Sequence, residues 1–112
     1  LIGVNNGVKT LGKLSSSDIS HSKNVNEYAA SKKAFNQALN SYKESSYDEA
    51  ESDLKKFIEV YKNDPLIDSA YYWLGETYFA KKQYDKAAIN YLKGYKIAPE
   101  GEKAGDNLLR LS

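Results

Sequence analysis

Few side chains in this sequence have the types and spacing that catalysis or metal binding requires. His21 is the only histidine and lies in a serine-rich segment, where we expect a solvated side chain rather than a general base. Cysteine is absent, which excludes disulfides and thiolate metal sites. Asp48 and Asp85 fall in the first turns of predicted helices, where free backbone N–H groups and the helix dipole account for them. The sequence therefore predicts no catalytic residue, no metal and no cofactor.

The charges of the chain are balanced and dispersed. Sixteen Lys and Arg residues oppose 15 Asp and Glu residues, for a net charge of +1. This balance predicts no cationic surface for nucleic acid. No stretch approaches the roughly 20 apolar residues that span a bilayer, so we expect no membrane insertion. The sequence begins at Leu1 without methionine or a signal peptide, which favours a mature product or an excised fragment.

Residues 1–25 have a different composition from the rest of the chain. Glycine, serine and asparagine are frequent there, which predicts a flexible linker. Four apolar residues within it nevertheless follow the heptad spacing of a coiled coil: Leu1, Val4, Val8 and Leu11. They cover fewer than two heptads, whereas a recognisable coiled coil usually extends over three or four. The tail of a coiled coil is therefore the open alternative to a linker.

From Asn26 onward, apolar residues recur at the period of amphipathic helices, and no strand-like alternation occurs. The predicted helices cover residues 26–44, 46–62, 65–81, 84–97 and the stretch after Pro99. Ser46 and Glu49 have the spacing of a capping box at the start of the second helix. We therefore expect one helical domain over residues 26–112.

The helices form an internal repeat. One four-residue motif occurs twice, 37 residues apart: Tyr47-Asp48-Glu49-Ala50 and Tyr84-Asp85-Lys86-Ala87. With the same offset, Ala38 corresponds to Gly75, which predicts a small residue where the two helices of each hairpin cross. We expect Tyr78, Tyr84 and Tyr91 to fill the space around the second crossing. The repeat predicts two full hairpins and the first helix of a third.

The second hairpin resembles the tetratricopeptide repeat. The matching positions are an aromatic residue, Leu-Gly, a tyrosine, Ala-x3-aromatic and a closing proline, here Tyr71, Leu74, Gly75, Tyr78, Ala87, Tyr91 and Pro99. The resemblance implies an all-α fold in which the hairpins stack as a right-handed α-solenoid. It also implies a non-catalytic module that binds another protein in a concave groove.

A narrower resemblance is carried by the stretch Ser69-Ala70-Tyr71-Tyr72-Trp73-Leu74-Gly75-Glu76-Thr77-Tyr78 and by the second four-residue motif. Together with Ala34-Phe35-Asn36-Gln37-Ala38-Leu39, they resemble the C-terminal repeat domain of the Tol-Pal-associated periplasmic cell-division coordinators. The resemblance implies a periplasmic protein that binds a Tol-system component or a regulator of peptidoglycan synthesis. Its role would be to coordinate outer-membrane constriction with cell division. It also implies homo-oligomers formed through a coiled coil upstream of the repeats.

In such a solenoid the first helix of each hairpin lines the concave surface, so its outward residues are the expected partner contacts. The predicted partner-binding residues are Phe35, Leu39 and Tyr42 on the first helix, and Ser69, Tyr72, Glu76 and Phe79 on the third. Glu76 is expected either to receive a basic side chain of the ligand or to remain solvated. The alternative for the aromatic residues is packing between hairpins, and packing is the role we expect for Trp73.

Two further functions remain open beside the adaptor. In the first, the chain is a structural oligomerisation module whose repeats stack across copies, with apolar residues such as Leu109 exposed at the end of the array. In the second, it is an outer-membrane assembly scaffold built from similar repeats. All three are interaction proteins rather than enzymes.

Overall fold

Five helices make up most of the part of the chain that the structure describes. The computed structural model describes residues 16–99 and 103–111, and no strand occurs in these ranges. The helices are α1 (Ser16–Lys43), α2 (Tyr47–Val60), α3 (Ile67–Ala80), α4 (Tyr84–Ile97) and α5 (Ala104–Leu111). Their order agrees with two hairpins followed by a single helix.

Helix α1 begins at Ser16, ten residues before the predicted start. Residues 16–25, which were expected to belong to a flexible linker, are therefore helical in the structure. Serine and asparagine lower helix propensity without forbidding the helix, and neither glycine nor proline occurs between Ser16 and Asn26. The heptad fragment from Leu1 to Leu11 lies outside the described residues. The chain divides into two compact units, residues 1–30 and 31–112, and the packed hairpins belong to the second.

The core of the second unit lies between the paired helices. Phe35 on α1 meets Phe57 on α2 with ring centroids 5.7 Å apart. Helix α3 packs against both α2 and α4, and α5 packs against α4 and the adjoining side of α3. The buried residues that form one continuous core are Phe35, Ala38, Leu54, Phe57, Ala70, Leu74, Tyr78, Ala87 and Tyr91. The two helices of a hairpin thus bury their apolar stripes against each other and against the neighbouring hairpin.

Gly75 marks a close approach of α3 and α4. A Cβ atom on Gly75 would lie 2.5 Å from Cε1 of Tyr91, whose ring is buried. The expectation of a small residue at this crossing, filled by Tyr78 and Tyr91, is confirmed. The expectation for Tyr84 is wrong, because this residue is exposed and packs edge-on against Phe79 at the surface.

Both hairpins turn through the same backbone conformation. Ser45 and Lys82, 37 residues apart, each have φ 64°. In each turn, the N–H of this residue and that of the next donate back to the preceding helix at 2.8–2.9 Å, which is a Schellman motif. The predicted capping box is wrong, since Ser46 makes no side-chain cap hydrogen bond. Its N–H, which Glu49 was expected to bind, already donates to Ser41 O.

An ion network joins the two hairpins. The carboxylate of Glu51 on α2 accepts hydrogen bonds from Lys81 Nζ at 2.8 Å and from the Tyr78 hydroxyl at 3.1 Å, and Lys55 Nζ lies 2.8 Å away. Lys81 also binds Asp48. Burial raises the pKa of Glu51, but the hydrogen bonds from Lys55, Lys81 and Tyr78 outweigh it and lower the pKa to about 2. The folded protein therefore stabilises the ionised form of the Glu51 carboxyl group relative to the protonated form.

This network predicts a loss of stability in acid. Because the folded pKa of Glu51 lies below its ordinary value of 4.5, its contribution is complete above about pH 4.5 and is lost as the pH falls towards about 2. We expect this contribution to be about 1–2 kcal/mol after solvent screening. Denaturant unfolding of the wild type and of Glu51→Gln should differ by that amount near neutral pH and converge at low pH. Glu59→Gln, at an exposed position of the same helix, is the control. A difference that does not change with pH would contradict the assignment.

Candidate protein-binding surface

An aromatic cluster joins α1 and α3 on the face formed by the first helix of each repeat. The Trp73 ring lies 5.2 Å from the Tyr42 ring and 5.2 Å from the Tyr72 ring, edge to face in both cases. All three side chains are half-buried. Tyr72 also contacts Tyr91 of α4, with centroids 6.0 Å apart. The three rings, which we call the aromatic cluster, are therefore held by the core and still reach the surface.

Glu76 lies beside this cluster and is fully engaged by the chain itself. Its carboxylate accepts hydrogen bonds from the Tyr72 hydroxyl at 3.3 Å, from the Tyr91 hydroxyl, and from Arg110 Nε at 2.8 Å. Arg110 Nη2 approaches the same oxygen at 2.7 Å. Glu76 is therefore neither solvated nor free for a basic group of a ligand. Arg110 of α5 takes the position that such a group would occupy.

The negative charge of the half-buried Glu76 affects the tyrosines around it. Burial raises the pKa of Tyr91, and its hydrogen bond to Glu76 raises it further. Burial, followed by the charge of Glu76, likewise raises the pKa of Tyr42 and of Tyr72. These hydroxyl groups therefore stay protonated and available as hydrogen-bond donors throughout the physiological pH range.

Two cations lie over the aromatic rings, Lys103 directly before α5 and Arg110 within it. Lys103 Nζ lies 5.1 Å from the centroid of Tyr72 and 5.9 Å from that of Trp73. The Arg110 guanidinium lies 4.6 Å from the Phe79 ring. Such cation–π contacts are attractive and hold the charges at the edge of an apolar surface. Sequence reasoning missed both residues, although the 37-residue offset relates Arg110 to Trp73 and could have drawn attention to it.

Close packing of α5 against α4 makes this arrangement possible. A Cβ atom on Gly94 would lie 2.9 Å from Asn107 Nδ2, so only glycine admits the buried Asn107 at this distance. Asn107 Nδ2 in turn donates to Lys103 O at 3.0 Å. The start of α5 is held by Asp68, whose carboxylate accepts the Lys103 N–H at 3.2 Å.

Two of the predicted partner-binding residues are buried and cannot contact a ligand directly. Phe35 packs against Phe57, because it lies only about 60° around α1 from Ala38, which faces the core. Ser69 is only 4% exposed, and its N–H donates to the Asp68 carboxylate at 2.9 Å. We therefore remove Phe35 and Ser69 from the candidate surface.

The other five predicted residues reach the surface. Phe79 is 43% exposed, and four more are half-buried: Leu39, Tyr42, Tyr72 and Glu76. Trp73 packs against the core, as expected for it, and is at the same time part of the aromatic cluster. The role of these residues in partner binding stays a prediction, to which the structure adds Trp73, Lys103 and Arg110 as neighbours.

Where side chains are described, no group of three or more histidine, aspartate or glutamate residues could hold a metal ion. None of the helices in the described ranges is long and apolar enough to cross a membrane.

A pocket between α1 and α2 is lined by Ala34, Gln37, Asp53, Lys56, Phe57, Val60 and Tyr61.

Comparison with known proteins supports the repeat. Residues 69–100, which include all of α4 and all but the first two residues of α3, match the tetratricopeptide repeat family model. No curated protein matches the chain. With the consecutive packed hairpins, this match confirms the expected all-α fold of the tetratricopeptide solenoid type. Repeats of this type indicate a protein–protein interaction module and are generally non-catalytic.

Proposed function

We propose that the face formed by α1, α3 and α5 binds a segment of a partner protein. The observation that carries this proposal is the aromatic cluster, in which Tyr42, Tyr72 and Trp73 are tied to the core on one side and open on the other. Aromatic rings fixed in this way supply large apolar contact area with little loss of side-chain freedom. A surface of this kind suits an apolar peptide or the apolar side of an amphipathic helix.

The charges beside the cluster favour a ligand with acidic residues. Glu76 is paired with Arg110 and hydrogen-bonded by two tyrosines, so its charge is compensated. Lys103 lies over Tyr72 and Trp73 and is only 25% exposed, with Asp106 at 3.6 Å. The Lys103–Asp106 pair is long, so a ligand carboxylate can pair with Lys103 while apolar neighbours cover the rings. We therefore expect an apolar segment flanked by Asp or Glu.

The cellular role is proposed from the resemblance to the periplasmic cell-division coordinators. We propose that the partner is a Tol-system component or a regulator of peptidoglycan synthesis, and that the chain acts in the periplasm during cell division. The residues that support this role are the stretch from Ser69 to Tyr78 and the motif from Tyr84 to Ala87. The family match supports only the broader statement that the module binds protein.

The binding face can be tested with Trp73, which is the only tryptophan of the chain. Titrating the chain with soluble domains of the proposed envelope partners should shift the Trp73 emission and the amide resonances of Tyr42 and Tyr72. Lys103→Glu should weaken binding about tenfold, which is about 1.4 kcal/mol. Lys62→Glu, at an exposed position between α2 and α3, should leave it unchanged.

Two results would count against different parts of the proposal. Resonance shifts confined to α2 and α4 would contradict the binding face. If the envelope domains fail to bind, while acidic peptides selected on the immobilised chain shift the Trp73 emission, the face is supported and the envelope role is not.

A further inference from the structure

The outward side of α4 carries a stripe of four exposed residues, an apolar pair flanked by two opposite charges. Ile89 is 51% exposed and Leu92 is 41% exposed, and the exposed Asp85 and Lys96 stand one turn before and one turn after them. At 100° per residue the four positions fall within about 60° of arc on the helix. We call these four residues the α4 stripe. It lies on the side of α4 away from Ala87 and Tyr91, which are buried in the core.

The hairpin fold does not require this exposed apolar pair. The residues at the same positions of α2, 37 residues earlier, are Asp48, Ser52, Lys55 and Glu59. Ser52 and Lys55 stand where α4 has Ile89 and Leu92, so the first hairpin shows that polar residues serve equally well there. Two exposed aliphatic side chains on one stripe cost solvation free energy that their burial in an interface would recover.

The stripe is complementary to itself when two α4 helices run antiparallel. Its spacings of 4, 3 and 4 residues are symmetric about a point between Asn90 and Tyr91. A two-fold axis at this point places Ile89 against Leu92 of a second copy and Asp85 against Lys96 of that copy. Both contacts then occur twice. A parallel arrangement would instead place each charge against its own kind, which is unfavourable.

We propose that this protein self-associates through the α4 stripe as an antiparallel, two-fold symmetric dimer. Ile89 and Leu92 form its apolar centre, and two Asp85–Lys96 pairs set its orientation. Ala88, which is exposed beside the stripe, has a small side chain that lets the two helices approach to about 8–10 Å. Since the aromatic cluster is on α1 and α3, this dimer leaves the proposed partner-binding face open.

The dimer is expected to be weak. The stripe extends over about 16 Å of helix, and a contact of this length falls below the area of standard stable interfaces. We expect a dissociation constant of about 10⁻⁵ to 10⁻³ M. Such an interface matters when the chain is concentrated or is brought together by another oligomerising segment, because linked contacts reinforce one another.

Sedimentation equilibrium of the full chain tests the dimer over loading concentrations from about 10 μM to about 1 mM. The wild type should dimerise with increasing concentration, and Leu92→Glu should remain monomeric. Ser52→Glu, at the α2 position equivalent to Ile89, should behave like the wild type. Circular dichroism of each variant verifies that the helices are retained.

Charge exchange tests the antiparallel orientation. Asp85→Lys alone gives two cations per stripe, and Lys96→Asp alone gives two anions, so each variant should dimerise at least about tenfold more weakly. An equimolar mixture of the two should recover dimers, since both ion pairs form again between unlike chains.

Three results would overturn the proposal. The first is a wild type that is monomeric at the highest concentration, which would also be the outcome if the stripe serves a different protein. The second is dimerisation that Leu92→Glu leaves unchanged. The third is a mixture that associates no better than its components, which would exclude the antiparallel pairing.

Discussion

Replacing Phe57 by alanine is expected to destabilise the 31–112 unit by about 3–5 kcal/mol, the largest effect expected of a single substitution in this protein. Phe57 is 2% exposed and packs against Phe35 at 5.7 Å and Tyr61 at 5.1 Å between ring centroids. Alanine would remove most of this buried area and leave a cavity between α1 and α2. A domain of this size has a total stability of about 4–12 kcal/mol, so the loss is a large part of it.

Urea unfolding followed by circular dichroism measures this effect. Phe57→Leu, which keeps most of the volume, should cost about 1–1.5 kcal/mol and remains measurable if the alanine variant is largely unfolded. Phe79→Ala is the matched control, because Phe79 is 43% exposed and should cost less than about 1 kcal/mol. Equal losses at Phe57 and Phe79 would show that the core is not where the structure places it.

The second large effect is expected at Gly75. Gly75→Ala should destabilise the protein by about 1–3 kcal/mol, although alanine favours a helix over glycine by about 1 kcal/mol. The added Cβ would lie 2.5 Å from Cε1 and 2.6 Å from Cδ1 of Tyr91. That ring cannot easily move away, since it is buried and its hydroxyl is bound to Glu76. The overlap must therefore be relieved by separating α3 from α4.

Gly105→Ala is the matched control for this prediction. It also replaces a helical glycine, but nothing lies within 4 Å of the added Cβ. It should be neutral or stabilising by up to about 1 kcal/mol. In a Tyr91→Leu background, Gly75→Ala should lower the stability less, because the tyrosine ring that the added Cβ would overlap is absent. A stable Gly75→Ala variant, or a cost that persists without the Tyr91 ring, would contradict the close crossing.

The helices and the repeat were predictable from local patterns. A 3.6-residue period of apolar residues and the two Tyr-Asp-x-Ala motifs are properties of the chain itself, so they locate the two hairpins within a few residues. The beginning of α1 was missed because serine and asparagine are weak rather than absolute signals against a helix. The capping box failed because the hydrogen bonds that end α1 use the same N–H group.

The candidate surface was only partly predictable, for a geometric reason. A helical stripe predicts which residues share a side, but the burial of a residue at the edge of that stripe depends on how the next helix crosses it. Phe35 and Ala38 illustrate this, since a difference of about 60° on the helix leaves both in the core. Ser69 is likewise only 4% exposed, although it belongs to the predicted stripe of α3.

By itself, the sequence determined the five helices, their pairing with a period of 37 residues and the need for a small residue at the Gly75 crossing. Only the tertiary structure decided that Arg110 pairs with Glu76 and that Lys103 lies over the aromatic cluster. The physical reason is separation along the chain. Periodicity reports interactions within a helix, whereas these contacts join residues at least 30 positions apart through the docking of α5.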